Sequence, residues 1–201
     1  MQPKILPVRA LLLMVLISTI LLITFLSYFT HYNLIQKVSA FFAGNISTSQ
    51  TIKQALPSRL KIPIINVNAN VLHLGLTPEG AMDAPKGPDD VSWYDLGVVP
   101  GEVGSAVIAG HYGPWKTGAV SVFEDLNKLQ KGDKVSVINE DGSEIVFVVR
   151  ETKMFLATDN PQTVFSSTDG LAHLNLITCQ GIWNKSDQSY SNRYVVFTDK
   201  E

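Results

Sequence analysis

Three side chains of this protein have the types and the positions to carry out acyl transfer. Its only cysteine, Cys179, closes the apolar run Leu176-Ile177-Thr178-Cys179 and leads into the polar pair Gln180-Gly181. His111 ends the run Ala106-Val107-Ile108-Ala109-Gly110-His111, 68 residues earlier, and Arg193 opens Arg193-Tyr194-Val195-Val196-Phe197, 14 residues later. A thiolate is a strong nucleophile once a nearby base or a lowered pKa releases it. Histidine is the side chain that titrates nearest neutrality, which suits it to carry a proton to and from a reacting group. A guanidinium offers a fixed fork of donors to an oxyanion, and such donors contribute several kcal/mol when they are aimed at developing charge.

Each of the three has plainer competitors. A lone cysteine is most simply a small buried hydrophobe, but Cys179 stands at a rim, where an apolar strand gives way to loop. Among the other histidines, His73 alternates with Leu72 and Leu74 and is expected to face solvent, and His31 lies beside the N-terminal apolar segment. His173 begins the strand that Cys179 ends, so extended chain separates the two. Arg150 follows Val146 to Val149 and Arg59 begins the first strand. Arg193 is preferred because consecutive strands usually lie side by side. No spacing of His, Cys, Asp and Glu suggests a transition metal. The scattered Glu151, Asp159 and Asp169 do not define a calcium site, and no cofactor is expected.

The elements that must position these residues fall after a distinct N-terminal part. From Ala10 to Phe29 there is no Lys, Arg, Asp or Glu, a length that meets the roughly 20 residues needed to cross a bilayer as a helix. Lys4 and Arg9 precede the run and the first acidic residue is Glu79, which places the N-terminus in the cytoplasm and the remainder outside. A cleaved signal peptide with its site at Val38-Ser39-Ala40 competes, but the apolar run exceeds the usual hydrophobic core of about 7–15 residues. The expected organisation is a cytoplasmic N-terminus over 1–9, a single-pass anchor in the cell membrane over 10–30, an extracellular stalk over 31–56 and a catalytic domain over 57–201. The 201 residues carry a net charge of −2 and no basic stripe, so a nucleic-acid partner is not expected.

Beyond Pro57 the chain becomes short apolar runs bounded by Gly, Pro, Asn and Asp. Strands are expected over Arg59 to Ile65 and Ala69 to Leu74 around an Asn66-to-Asn68 turn, with Pro63 marking an edge or a bulge. Met82 to Val91 is expected as loop. Further strands are expected over Ala106 to Ala109, Lys134 to Ile138, Glu144 to Val149, Leu174 to Thr178 and Tyr194 to Thr198. The Asp141-Gly142 pair signals a hairpin. Val122, Leu126 and Leu129 are spaced for one face of a helix over Val120 to Leu129, with Gly132 as its stop. About eight short strands and one helix point to a mainly β fold, a closed or nearly closed barrel.

The region from about Pro57 to Lys200 resembles a sortase, a cysteine transpeptidase of bacterial surfaces. Ala109-Gly110-His111 resembles that family's histidine motif. Leu176-Ile177-Thr178-Cys179 matches the core of its Thr-Leu-x-Thr-Cys motif, and Arg193 followed by an apolar strand matches its arginine. Asn175 departs from the motif, standing where the first Thr usually is. By strand alternation it shares a face with Cys179. Ser92-Trp93-Tyr94 and Pro100-Gly101-Glu102-Val103-Gly104 resemble class D, E and F sortases more than class A or B. The spacer before Pro57 lacks the Asp-Pro-aromatic lid signature of pilin-building class C, which argues for single attachment.

The resemblance implies an eight-stranded sortase-like β-barrel with one or two short helices, preceded by the transmembrane helix. It also implies a two-step reaction. Cys179 attacks the peptide bond after the Thr of an LPxTG-like sorting signal, His111 protonates the leaving amine, and Arg193 holds the substrate and its oxyanion. The thioacyl enzyme then passes its acyl group to an amine acceptor, a cell-wall precursor or another surface protein. Candidate substrate-binding residues are Thr178, Trp93, Tyr94, Trp183 and Tyr190, the last two lying in the segment between cysteine and arginine. Two alternatives stand beside this. An L,D-transpeptidase places its cysteine in a Ser/His-Gly-Cys-x-Arg-like stretch, which Ile177-Thr178-Cys179-Gln180 matches poorly. A membrane-tethered extracellular β-barrel binding module would keep Cys179 as a structural residue.

Overall fold

The computed structural model describes residues 17–32, 55–115, 118–186 and 188–201. The chain divides into two units, Met1–Lys53 and Gln54–Glu201. Of the first unit, the description covers a helix over residues 17–32 (α1), whose residues are all exposed and mostly apolar, with Ser18, Thr19, Thr24, Ser27, Thr30 and His31 among them. The remainder of the anchor expected over 10–30, and nearly all of the stalk expected over 31–56, lie outside the described residues. Among the described residues no helix is long and apolar enough to cross a membrane.

The second unit is a closed barrel of eight strands in the order β1-β2-β3-β4-β7-β8-β6-β5. The strands are β1 (Pro57–Ile62), β2 (Val67–Leu74), β3 (Val91–Tyr94), β4 (Gly104–Gly110), β5 (Lys134–Asn139), β6 (Glu144–Leu156), β7 (Ala172–Asn184) and β8 (Ser189–Lys200). Two-residue alternation explains the core. Leu60 and Ile62, Val67, Ala69 and Val71, Ala106 and Ile108, Val135 and Val137, Phe147 and Val149, and Leu174 and Leu176 all turn inward and are buried. Most pairings are antiparallel, but β2–β3 and β4–β7 are parallel. A second, smaller cluster lies on the outer face of β4, β7 and β8. It joins Val107, Val195 and Phe197 to Val164 of the short helix α2 (Gln162–Phe165).

The expected strands form, with informative differences. Pro63 ends β1 in a 3-10 turn, Pro63–Ile65, and Asn66 takes the left-handed conformation that reverses the chain. Ser92-Trp93-Tyr94 belongs to β3, a strand hidden by its short length and by the turn residues before it. The helix expected over Val120 to Leu129 reduces to one 3-10 turn, Leu126–Lys128. The buried apolar residues there are Phe123, Leu126 and Leu129, a spacing of three that suits a 3-10 turn plugging a barrel end better than an α-helix. His73 does not face solvent. The inward register of Val67, Ala69 and Val71 carries it to the half-buried side, where its Nε2 lies 2.7 Å from Pro57 O and its ring meets Trp93 edge-on at 5.2 Å.

Candidate active site

The parallel pairing of β4 with β7 brings the histidine and the cysteine to the same end of the barrel. Its last pair is Ala109↔Ile177, so His111 and Cys179 each lie two residues further along their strands. Thr178 locks this register, its Oγ1 donating to Gly110 O at 2.7 Å from a buried position. The antiparallel pairing of β7 with β8 sets Cys179 directly opposite Arg193. Directly opposite residues have Cβ atoms about 4.5–5.5 Å apart. Cys179 is not at the end of its strand, as the sequence suggests. β7 continues to Asn184 and β8 starts at Ser189, but their register shifts between Gln180 and Trp183, just beyond the thiol. A break of this kind re-aims neighbouring side chains. Alternation puts Asn175, Ile177 and Cys179 on the outer face, with Arg193, Val195 and Phe197 beside them.

His111, Cys179, Trp183, Tyr190 and Arg193 line one cavity of about 580 Å³, together with Tyr112, Pro114, Trp115, Gln188 and Ser189. Aromatic rings wall it in two groups. His111 lies 4.8 Å from the Trp115 ring, Tyr112 meets Tyr190 at 5.5 Å, and Trp183 meets Tyr190 at 5.1 Å. A second, smaller cavity of about 230 Å³ adjoins at Arg193 and is mostly apolar, lined by Phe155, Leu156, Pro161, Val164, Ile177 and Val195 among others.

The arginine is held by neutral acceptors. Its Nη1 donates to Tyr190 O and Asn192 O, both at 3.0 Å, and its Nη2 to Ser189 Oγ at 3.1 Å. Among the described residues no carboxylate pairs with it, so its positive charge stays available to the cavity. Burial pushes the Cys179 thiol above its ordinary value of 9.0, and the Arg193 charge offsets this only in part. The resting group is therefore a thiol, and nucleophilic attack needs an acceptor for its proton. His111 is half-buried, with Nε2 2.7 Å from Pro85 O. Burial also raises the Tyr190 hydroxyl, helped by Tyr112, Cys179 and Glu124. A nucleophile, a proton carrier and an anion clamp on one concave surface can perform acyl transfer through a covalent thioester.

The five candidate substrate contacts separate. Trp183 and Tyr190 line the thiol cavity. Thr178 is buried and spends its hydroxyl on Gly110, which positions the cysteine strand instead of facing a ligand. Trp93 is 3% exposed in the barrel core, its Nε1 donating to Val98 O at 3.0 Å, and does not line either cavity. Tyr94 stands on the outer face, edge-on to Phe165 at 5.5 Å, and supports the α2 segment. Trp93 and Tyr94 are thus corrected from substrate contacts to packing residues, because β3 alternation sends one inward and the other under α2. Missed by sequence reasoning were Tyr112 and Trp115, although Tyr112-Gly113-Pro114-Trp115 directly follows His111. The apolar cavity residues were also missed, since only the β6–β8 pairing brings Phe155 opposite Arg193.

Residues 60–201 match the family model of the sortase domain. The chain belongs to the sortase family. Sortases are cysteine transpeptidases, and this is the enzyme class of the protein. Solved sortases share its fold. Sortase C-1 from Actinomyces oris has a TM-score of 0.57 and 23% identity, over 71% of this chain and 72% of that one. A Clostridium perfringens sortase D5 transpeptidase has a TM-score of 0.54 and 20% identity, over 72% and 78%. Sortase A from Corynebacterium diphtheriae has a TM-score of 0.56 and 18% identity, over 73% and 60%. A comparison with curated proteins gives no match.

Proposed function

We propose that this sortase cleaves an LPxTG-like sorting signal after its Thr and transfers the acyl group to an amine, from an extracellular domain anchored by the N-terminal apolar segment. The observation that carries this is the pairing of Cys179 with Arg193 across β7 and β8, with His111 on the wall of the same cavity. In the first step the Cys179 sulfur bonds to the Thr carbonyl carbon as its proton passes to His111. Arg193 donates to the oxyanion of the tetrahedral intermediate. The C–N bond breaks, His111 gives its proton to the leaving amine, and a thioester remains. In the second step an amine of a cell-wall precursor or surface protein attacks that thioester. His111 takes the amine's proton, the C–S bond breaks, and the thiol is regenerated.

The smaller apolar cavity beside Arg193 supports a peptide substrate. It offers room for apolar side chains preceding the Thr, while the aromatic cavity around Cys179 takes the scissile bond. A net charge of −2 gives a polyanion no overall attraction, and the expected lipid contact is through the N-terminal helix alone.

The test uses the full-length chain in detergent, wild type and Cys179→Ala, with short LPxTG and LAxTG peptides. Mass spectrometry should find cleavage after Thr and, with an added amine, ligation; the alanine variant should do neither. Turnover by the alanine variant would refute the thiol mechanism. Membrane placement is checked separately: the protein should sediment with membranes, and protease added outside intact cells should release the 57–201 domain. Recovery of the intact chain in the cytosol would refute it.

A further inference from the structure

Beyond Gly110 the pairing of β4 lapses, and the backbone that carries His111 has to find other partners. It finds them in the turn that the sequence suggests should be a helix. Phe123 N–H donates to His111 O at 3.0 Å. Gly113 N–H donates to Glu124 Oε2 at 2.7 Å, and Ser121 Oγ–H donates to Gly113 O at 2.6 Å. Both polar backbone groups of Gly113 are thus held by side chains of one short segment. That segment is itself fixed by Val122 N–H on Pro88 O at 2.8 Å, in the same loop whose Pro85 O meets the His111 ring.

Gly113 has nowhere else to go. Its φ is +86°, and a Cβ there would lie 2.5 Å from the Tyr190 hydroxyl. Ser121 is buried and Glu124 half-buried, and among the described residues no cation pairs with Glu124. An N–H bond to a carboxylate is short and about twice as strong as one between neutral groups.

We infer that Glu124, with Ser121, is a positioning residue for the transpeptidation, holding the Gly113 backbone so that His111 stands over the cleft of Cys179. The inference rests on the role of His111 proposed above. Glu124 does not line the cavity of Cys179. Its action is on the proton carrier through two intervening residues.

The experiment compares the full-length wild type, Glu124→Ala and Glu124→Gln, with Val137→Ala as a core truncation on β5 and thermal unfolding to measure the instability of each. Peptide turnover gives kcat and KM, and histidine-labelled protein gives the His111 ring resonances. Glu124→Ala should lower kcat at least about tenfold with KM within about twofold, the span typical of misplaced acid–base groups. Glu124→Gln, which still presents an oxygen to the Gly113 N–H, should stay within about threefold of wild type. The His111 resonances should move in Glu124→Ala and stay in place in Val137→Ala. Wild-type kcat in Glu124→Ala, unmoved His111 resonances, or an equal loss in Val137→Ala or Glu124→Gln would overturn the inference. Should wild type turn over no peptide, the substrate proposal fails, and the resonances alone decide the positioning role.

Discussion

At the scale of single residues, Cys179 carries two opposed influences, burial that favours the thiol and a guanidinium that favours the thiolate. Burial dominates, so reaction of the free enzyme with iodoacetamide should keep rising through pH 9.0 and show no plateau near neutrality. Arg193→Met removes the positive charge that favours the thiolate and should push that profile to still higher pH. An unchanged profile would mean that the arginine does not act on the thiol. Gly113→Ala should also be severe. It sets a methyl into the Tyr190 hydroxyl and forces an L-residue to φ +86°, costing about 1–3 kcal/mol from backbone strain alone. Thermal unfolding and peptide turnover measure the two consequences, and a fully active, fully stable variant would contradict the close approach.

Elements owe their placement to a few side chains that bridge them. Asn175 stands where the family motif has a Thr. It is buried, and its Nδ2 donates to Val164 O at 2.6 Å, tying α2 to β7. Because α2 supplies Val164 to the apolar cavity beside Arg193, Asn175→Ala should act on binding more than on chemistry. Loss of this buried bond should cost about 1–3 kcal/mol of stability and raise KM severalfold with kcat little changed. A fall in kcat at constant KM would place Asn175 in the reaction itself. The 121–126 segment shows the opposite dependence on neighbours. Gly110 makes room for it, since a Cβ there would lie 2.6 Å from the Phe123 ring. Phe123→Ala should therefore cost about 3–5 kcal/mol and loosen the His111 backbone that Phe123 N–H holds.

Across the whole barrel, the end opposite the thiol carries its own polar seam. His173 is 3% exposed, with Nδ1 2.7 Å from Asp199 Oδ1 and Nε2 3.0 Å from the Asp169 carboxylate, and Arg150 bonds Asp199. This is where the competing histidine and arginine of the sequence end up, paired with carboxylates and far along β7 from Cys179. The His173 bond, then the Leu171 N–H, hold the Asp169 carboxyl below its ordinary 3.8. A carboxyl lowered by folding stabilises the fold fully above that ordinary value, and the contribution is lost as pH falls through the lowered one. Thermal stability should thus decline below about pH 4, and Asp169→Asn should flatten that part of the curve. An identical acid limb in the variant would exclude the seam as its source.

Several features of this protein were decided by local sequence. Short apolar runs bounded by turn residues marked seven of the strands, because a strand's need to bury at least one face survives any tertiary context. The Asp141-Gly142 turn was legible from its own chemistry, and residue type and motif singled out Cys179, His111 and Arg193 as candidates, which line one cavity. What the sequence left open depended on pairing between distant segments. β3 was too short to announce itself, and its place beside β2 and β4 turned Trp93 inward and Tyr94 under α2. The 121–126 segment took its shape from the barrel end it plugs, overriding a helical spacing that had no helix-length stretch to sustain it. Parallel pairing of β4 with β7, across 68 residues, put the histidine and the cysteine at one rim, and antiparallel pairing of β7 with β8 set cysteine opposite arginine. Local periodicity determines which residues face the same side of one strand. Only closure of the barrel determines which strands share an edge, and therefore which side chains share a cavity.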